Sequence, residues 1–316
     1  MKLLIARPMT PVVEARARAE FDVEIRENTL PMSQQEMLSA LAEFDVVVPT
    51  LGDQFSAQIF ADAGSPQCKL LANFGVGYNH IDVQSARAAG VEVTNTPGAV
   101  TDATADIAMT LLLTTARRAG EGERLVRAGQ WQGWHPTQML GHHVTGKRVG
   151  IVGMGRIGQA IARRCHFGFG MQVAYQSRSA KDLDFAAEFT PDLHKLAASV
   201  DFLVLAVPGG AETRHLINAQ TLEAMNLSAI LINIARGEVV DEAALISALE
   251  NRQIAGAGLD VYEFEPKMPQ ALCEMENVTL LPHLGTATEE VRSNMGHMAL
   301  DNVAAFVAGR ALPNPV

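Results

Sequence analysis

The feature that most constrains this chain is an alternation that runs along its whole length. Short apolar runs, dense in Val, Ile and Leu, alternate with longer segments of helical spacing. In the first third the runs are Lys2–Ala6, Phe21–Ile25, Asp45–Pro49, Lys69–Asn73 and Val91–Thr94. Further on they are Arg148–Val152, Gln172–Tyr175, Phe202–Val207, Ile230–Ile234, Gly258–Val261 and Val278–Leu281. A strand covered on both faces needs such unbroken runs. Strand–helix alternation twice over predicts an α/β protein with two doubly wound parallel-sheet domains. Aromatics are only 5% of the chain, so Ala, Val, Leu and Ile must fill the cores, which suits helices packed on a parallel sheet.

Two long helical patterns suggest that the first domain is discontinuous. Asp102–Arg118 follows the turn Thr96-Pro97-Gly98, and Thr288–Val307 follows His283-Leu284-Gly285. If the middle block is a domain of its own, both are crossings. The expected division is residues 1–99 with 286–316, and an inserted domain 100–285. The stretch Glu121–Lys147, with Trp131, Trp134, His135 and the pair His142-His143, fits neither helix nor strand. It reads as an arm, and long irregular segments are usually functional or part of an interface.

The net charge of −10, without basic blocks, argues against nucleic acid and against an anionic membrane as partners. A small anionic substrate needs only a few local arginines. Cys68, Cys165 and Cys273 are far apart and unpaired in spacing, which implies no disulfide framework and a reducing, cytoplasmic setting. The apolar start is too short for a signal segment, and no run reaches the ~20 residues of a membrane helix. His142-His143 has no spaced acid or cysteine to complete a metal site.

The run Arg148–Val152 leads into Gly153-Met154-Gly155-Arg156-Ile157-Gly158, after which Ile157, Ala160, Ile161 and Cys165 recur at helical spacing. A GxGxxG between a strand and a helix points to a dinucleotide. The first glycine permits the tight turn, the second lets the backbone approach a pyrophosphate, and the third lets helix and strand pack closely. The helix N-terminus faces the phosphate charge. The ribose-reading residue is expected ~20 residues on, where the next strand ends Tyr175-Gln176-Ser177-Arg178-Ser179. No acid is there to bind a free 2′-hydroxyl. Arg178, helped by Ser177 or Ser179, suits a 2′-phosphate, so NADP is the expected coenzyme, with NAD possible.

Three further strand ends carry polar groups. Ile232-Asn233-Ile234-Ala235-Arg236-Gly237 ends in an arginine, Gly258 to Pro266 places Asp260, Glu263 and Glu265 past another strand, and Pro282-His283-Leu284-Gly285 places a histidine past a third. Open α/β sheets bind ligands at such carboxyl ends. Together such groups can hold an anionic group, polarise a carbonyl and give a proton to the oxygen that receives charge. A permanently charged, forked guanidinium suits the first two tasks. An imidazole beside a carboxylate suits the third.

On these residues, with Asn73-Phe74-Gly75-Val76-Gly77-Tyr78, Asn95-Thr96-Pro97-Gly98 and Asn233 to Glu242, the whole chain resembles the D-isomer-specific 2-hydroxyacid dehydrogenase family, in its glyoxylate/hydroxypyruvate reductase branch. The resemblance implies a Rossmann cofactor domain inserted into a flavodoxin-like substrate domain. It implies hydride transfer from NAD(P)H to a small 2-keto acid, a catalytic set of Arg236, Glu265 and His283, and a homodimer. Cofactor contacts are implied at Gly153, Gly155, Arg156, Ile157, Gly158, Ser177, Arg178, Pro208, Thr213, Ala235, Asp260 and Thr104. Substrate contacts are implied at Val76 and Gly77, with Arg236 and His283. The loop Val207-Pro208-Gly209-Gly210-Ala211-Glu212-Thr213 departs from the family's usual pattern at its Gly-Gly pair and reads as looser there. Trp131 or Trp134 would reach a neighbouring subunit, or serve only as interface packing. Two alternatives remain open: a D-3-phosphoglycerate-type dehydrogenase, and a non-catalytic NAD(P)H-sensing binding protein of the same fold. The first usually carries an added C-terminal regulatory domain, and this chain ends at Val316, soon after its last helical pattern.

Overall fold

A computed structural model describes residues 1–316. The chain divides into two compact units, Met1–Val100 with Thr286–Val316, and Thr101–Gly285.

The first unit opens β1 (Lys2–Ile5), α1 (Pro11–Glu20), β2 (Asp22–Ile25), α2 (Gln34–Glu43), β3 (Val46–Val48), α3 (Ala57–Ala63), β4 (Leu70–Ala72), α4 (Val83–Ala88), β5 (Glu92–Thr94). Its five strands are parallel in the order β2-β1-β3-β4-β5, the flavodoxin-like winding. Leu3, Ile5, Val46, Val48, Leu70 and Ala72 face one core, and Leu4, Val47 and Leu71 face the other. That alternation explains the unbroken apolar runs: both faces are buried.

The second unit holds α5 (Thr101–Ala116), α6 (Ala119–Arg127), β6 (Arg148–Val152), α7 (Arg156–Arg163), β7 (Gln172–Gln176), β8 (Ala187–Phe189), α8 (Leu193–Ala198), β9 (Phe202–Leu205), α9 (Ala219–Ala224), β10 (Ile230–Asn233), α10 (Glu242–Glu250), β11 (Gly256–Leu259), α11 (Gln270–Glu274) and β12 (Val278–Leu280). The chain then returns to the first unit through α12 (Glu289–Val307), whose N-cap Thr288 accepts from the Val291 N–H. The seven strands run parallel as β12-β11-β10-β9-β6-β7-β8. Winding proceeds outward from β6 in both directions, so the switch point, where ligands bind in such sheets, lies at the carboxyl end of β6. In β10, Ile230 and Ile232 pack toward α5 and α7 while Leu231 packs toward the opposite core. Each is at most 1% exposed, a burial worth about 1.5–3 kcal/mol per side chain.

Two expectations are corrected. The stretch Glu121–Lys147 is not irregular throughout, because α6 covers Ala119–Arg127. That helix carries Gly120 and Gly122, which are poor helix formers, and only Leu125 and Val126 as large apolar residues, so little in its composition announces it. The edge strand β8 was not foreseen; it is three residues long and mostly exposed. No helix is long and apolar enough to cross a membrane.

Candidate active site

The glycine loop closes β6 at the switch point. Gly153 has φ +98°, a left-handed conformation that favours glycine, and its N–H donates to Gln176 O at 2.9 Å. A Cβ on Gly153 would lie 2.6 Å from Ala206 O, and one on Gly158 would strike the Gly153 carbonyl. A Cβ on Gly155 would meet nothing within 4 Å. Gly158 therefore lets α7 pack against β6, Gly153 lies against the chain leaving β9, and Gly155 faces open space that a side chain would fill. Helix α7, starting at Arg156 and Ile157, has no side-chain cap, so its first N–H groups stay available for an anion. This is a cradle into which a dinucleotide pyrophosphate fits. Past β7, Arg178 is exposed and the Ser177 hydroxyl donates to Ser179 O at 2.6 Å.

The turn after β10 is built by Asn233, which is 1% exposed. Its Oδ1 accepts from the Ala235 N–H at 3.0 Å, and its Nδ2 donates to Arg236 O at 3.0 Å. Arg236 thus leaves the sheet on a turn fixed by a buried amide. Its Nη1 donates to Ala235 O at 2.7 Å. Burial pulls the guanidinium pKa below its usual value, against the charges of Glu265 and Glu238.

Next along the sheet, the Asp260 N–H donates to Asn233 O, and Asp260 O accepts from the His283 N–H at 2.9 Å. The Asp260 carboxylate, 1% exposed, accepts from the Leu284 N–H at 2.6 Å and the Gly285 N–H at 2.9 Å. Burial pushes this carboxyl up, and the two N–H donors and His283 oppose it. Asp260 therefore ties the β11 end to the histidine turn, where His283 takes φ +55°, a region few non-glycine residues occupy. Thr104, buried on α5, donates to Gly285 O at 3.0 Å and holds the same turn.

The central pair lies between these turns. His283 Nδ1 is 2.9 Å from Glu265 Oε2, and Glu265 Oε1 accepts from the Tyr262 N–H at 2.9 Å. Burial works to raise the Glu265 pKa. The hydrogen bond and charge of His283, the Tyr262 N–H and the Arg236 charge outweigh it, so the carboxyl sits below its ordinary value. The Tyr262 hydroxyl donates to Leu281 O at 2.7 Å, joining the acid loop to the strand that carries the histidine.

The sequence reading did not single out Asn233, Tyr262 or Glu238. Asn233 had a signal, as a polar residue ending a wholly apolar strand. Tyr262 and Glu238 act through backbone bonds to distant segments, which no local pattern shows. In the loop 207–213, Thr213 Oγ1 donates to Pro208 O at 2.7 Å, and the Gly210 N–H donates to Glu238 Oε1 at 2.9 Å.

In the first unit, the segment past β4 holds Val76 and Gly77. Asn73 Nδ2 donates to Gly75 O and Gly77 O, at 3.1 and 3.0 Å, and Asn95 Nδ2 donates to Val76 O at 2.9 Å. Because a peptide's C=O and N–H point opposite ways, these amides turn the Val76 and Gly77 N–H groups away from themselves.

The family model for the D-isomer specific 2-hydroxyacid dehydrogenase NAD-binding domain matches residues 109–285. The chain belongs to this family. It is a nicotinamide-dependent oxidoreductase whose second unit carries the coenzyme fold. A glyoxylate reductase of Thermococcus onnurineus is 44% identical over all of this chain and 95% of its own length. One from Pyrococcus horikoshii is 44% identical with the same coverage. Among solved structures, an NADPH-dependent glyoxylate/hydroxypyruvate reductase of Sinorhizobium meliloti, in complex with NADP and malonate, superposes with a TM-score of 0.89 at 36% identity. That match covers 100% of this chain and 96% of the other.

Proposed function

We propose that this dehydrogenase reduces glyoxylate, and the related hydroxypyruvate, to the 2-hydroxy acid, in the D configuration where a centre is formed, with NADPH preferred over NADH. The observation that carries the reading is the His283–Glu265 pair. Its carboxylate is held by a backbone N–H on one oxygen and engages the imidazole Nδ1 with the other, so Nε2 is the nitrogen left to serve a substrate.

The coenzyme, when bound, supplies the hydride. Arg236 grips the keto acid's carboxylate and polarises its carbonyl, as a forked, permanently charged donor does. In the first unit, the N–H groups of Val76 and Gly77 are the proposed substrate donors. His283 gives its Nε2 proton to the C2 oxygen as charge builds there, and Glu265, bonded to Nδ1, holds the ring in place. Gly153, Gly155, Arg156, Ile157 and Gly158 hold the pyrophosphate. Ala235, Asp260 and Thr104 line the nicotinamide side, Pro208 and Thr213 the adenosine side, and Ser177 and Arg178 the 2′-phosphate. The first unit is the substrate domain and the second the coenzyme domain.

Substrate choice is supported by the glyoxylate reductases at 44% identity, which favour this reading over a phosphoglycerate-type or non-catalytic one. Coenzyme choice is supported by Arg178 and by the NADP complex of the Sinorhizobium relative. A homodimer is proposed, supported by the exposed Trp131, Trp134 and Leu140 past α6. A cytoplasmic setting is supported by three free cysteines. The test is a panel of 2-keto acids with each coenzyme, followed by loss of reduced-nicotinamide absorbance. Glyoxylate with NADPH should give the highest kcat/KM. A clear NADH preference would overturn the coenzyme assignment, and no turnover with any keto acid would overturn the reaction.

A further inference from the structure

The Gly209-Gly210 pair in loop 207–213 has a defined place in this fold. A Cβ on Gly209 would lie 2.7 Å from Glu238 Oε1 and 2.8 Å from Arg236 Cγ. Both distances are below any normal carbon contact, so the loop rests on the stem of Arg236 because residue 209 has no side chain. Glu238 holds it there twice. Its Oε1 accepts from the Gly210 N–H at 2.9 Å, and its backbone O accepts from the His215 N–H at 2.8 Å. The far end is pinned as well, because His215 Nε2 is 2.7 Å from Glu263 Oε1 and Glu263 is nearly buried. One loop is thus fastened two residues past Arg236 and two residues before Glu265.

We propose that Glu238 is a positioning residue that latches the coenzyme loop 208–213 onto Arg236, so that seating the coenzyme and aiming the arginine at the keto acid are one event. The proposal rests on the assignment of Pro208 and Thr213 to the coenzyme and of Arg236 to the keto acid. A carboxylate acceptor for a backbone N–H is a strong, geometrically specific tie. Such a tie between two binding elements makes the affinity for each ligand depend on the other, and the dependence is reciprocal.

The test uses the full chain with NADPH and oxalate, an unreactive dicarboxylate. The NADPH Kd is read from its own fluorescence, with and without oxalate, and hydrogen exchange is followed across residues 208–215. In the wild type, oxalate should tighten NADPH by at least ~5-fold. In Glu238→Ala this coupling should fall to about twofold or less, exchange at 208–215 should rise, and the KM for glyoxylate should rise roughly tenfold. Glu238→Gln keeps an acceptor oxygen and should restore the coupling. Gly209→Ala, which forces a methyl between Glu238 and Arg236, should lose it by an independent route and serves if Glu238→Ala does not fold. Wild-type coupling surviving in Glu238→Ala or in Gly209→Ala would overturn the latch, as would Glu238→Gln failing like the alanine. A wild type that turns over glyoxylate without any oxalate–NADPH coupling overturns the latch alone. A wild type with no keto-acid turnover overturns the assignment beneath it.

Discussion

His283 Nδ1 and Glu265 Oε2 lie 2.9 Å apart although 18 residues separate them in the chain. The pair is assembled by its neighbours. Tyr262 gives Glu265 a backbone donor and reaches Leu281 with its hydroxyl, while Asp260 accepts from the His283, Leu284 and Gly285 amides. The ends of β11 and β12 are thus laced together, which holds the acid–base pair in one geometry.

Glu265→Gln should lower kcat for glyoxylate reduction by about 10²-fold, within the range assigned to a positioned proton-transfer system. It should also change stability with a defined sign. The native carboxyl is held below its ordinary value, so its charge stabilises the fold above the unfolded pKa of about 4.3. That contribution fades as pH falls through the lower native value. Thermal melts of both proteins should show a constant Tm gap from neutrality down to about pH 4.3, closing below it. A gap that widens on acidification would contradict the assigned direction.

Asp260→Asn keeps the shape but replaces one acceptor oxygen with a donor, facing the Leu284 or Gly285 N–H. An unsatisfied buried amide costs about 1–3 kcal/mol, so Tm should fall. The histidine turn should loosen, and kcat should fall more than the KM for NADPH rises. Denaturant unfolding with steady-state kinetics checks both. Unchanged stability would mean that this clamp is not what holds the turn.

Arg178→Ala should lower kcat/KM with NADPH by roughly tenfold or more, since a charge-assisted bond to phosphate is worth about 1.5–3 kcal/mol. The value with NADH should be nearly unchanged. Parallel kinetics with both coenzymes decide it, and an equal loss with both would remove Arg178 from the 2′-phosphate.

The fold and part of this site were legible in the residues, for identifiable reasons. Strand β6 matches its predicted bounds, Arg148–Val152, because an apolar run meets a glycine that must turn. Strand β11 was placed too late, at Gly258–Val261 rather than Gly256–Leu259. Gly256 and Gly258 carry no side chain to mark a strand, yet they let Asn277, Ile232 and Thr115 approach. Arg236, Glu265 and His283 stood out because ionisable groups at the ends of apolar strands are conspicuous. Tyr262 and Glu238 did not, because they bond backbone at Leu281 and Gly210 that only the fold brings near; Asn233, whose bonds to Ala235 and Arg236 are local, was visible only as a polar end to an apolar strand. The Gly209-Gly210 pair read as looseness, whereas in the fold it is close contact with Arg236 and Glu238.

The central claim is that the imidazole of His283 supplies the proton for keto-acid reduction. The most direct measurement is NADPH oxidation with saturating glyoxylate by the wild type and by His283→Ala, alongside the NADPH Kd of each. The account predicts a kcat lowered by ~10²–10⁴-fold with coenzyme affinity nearly unchanged. Near-normal turnover by His283→Ala would contradict it.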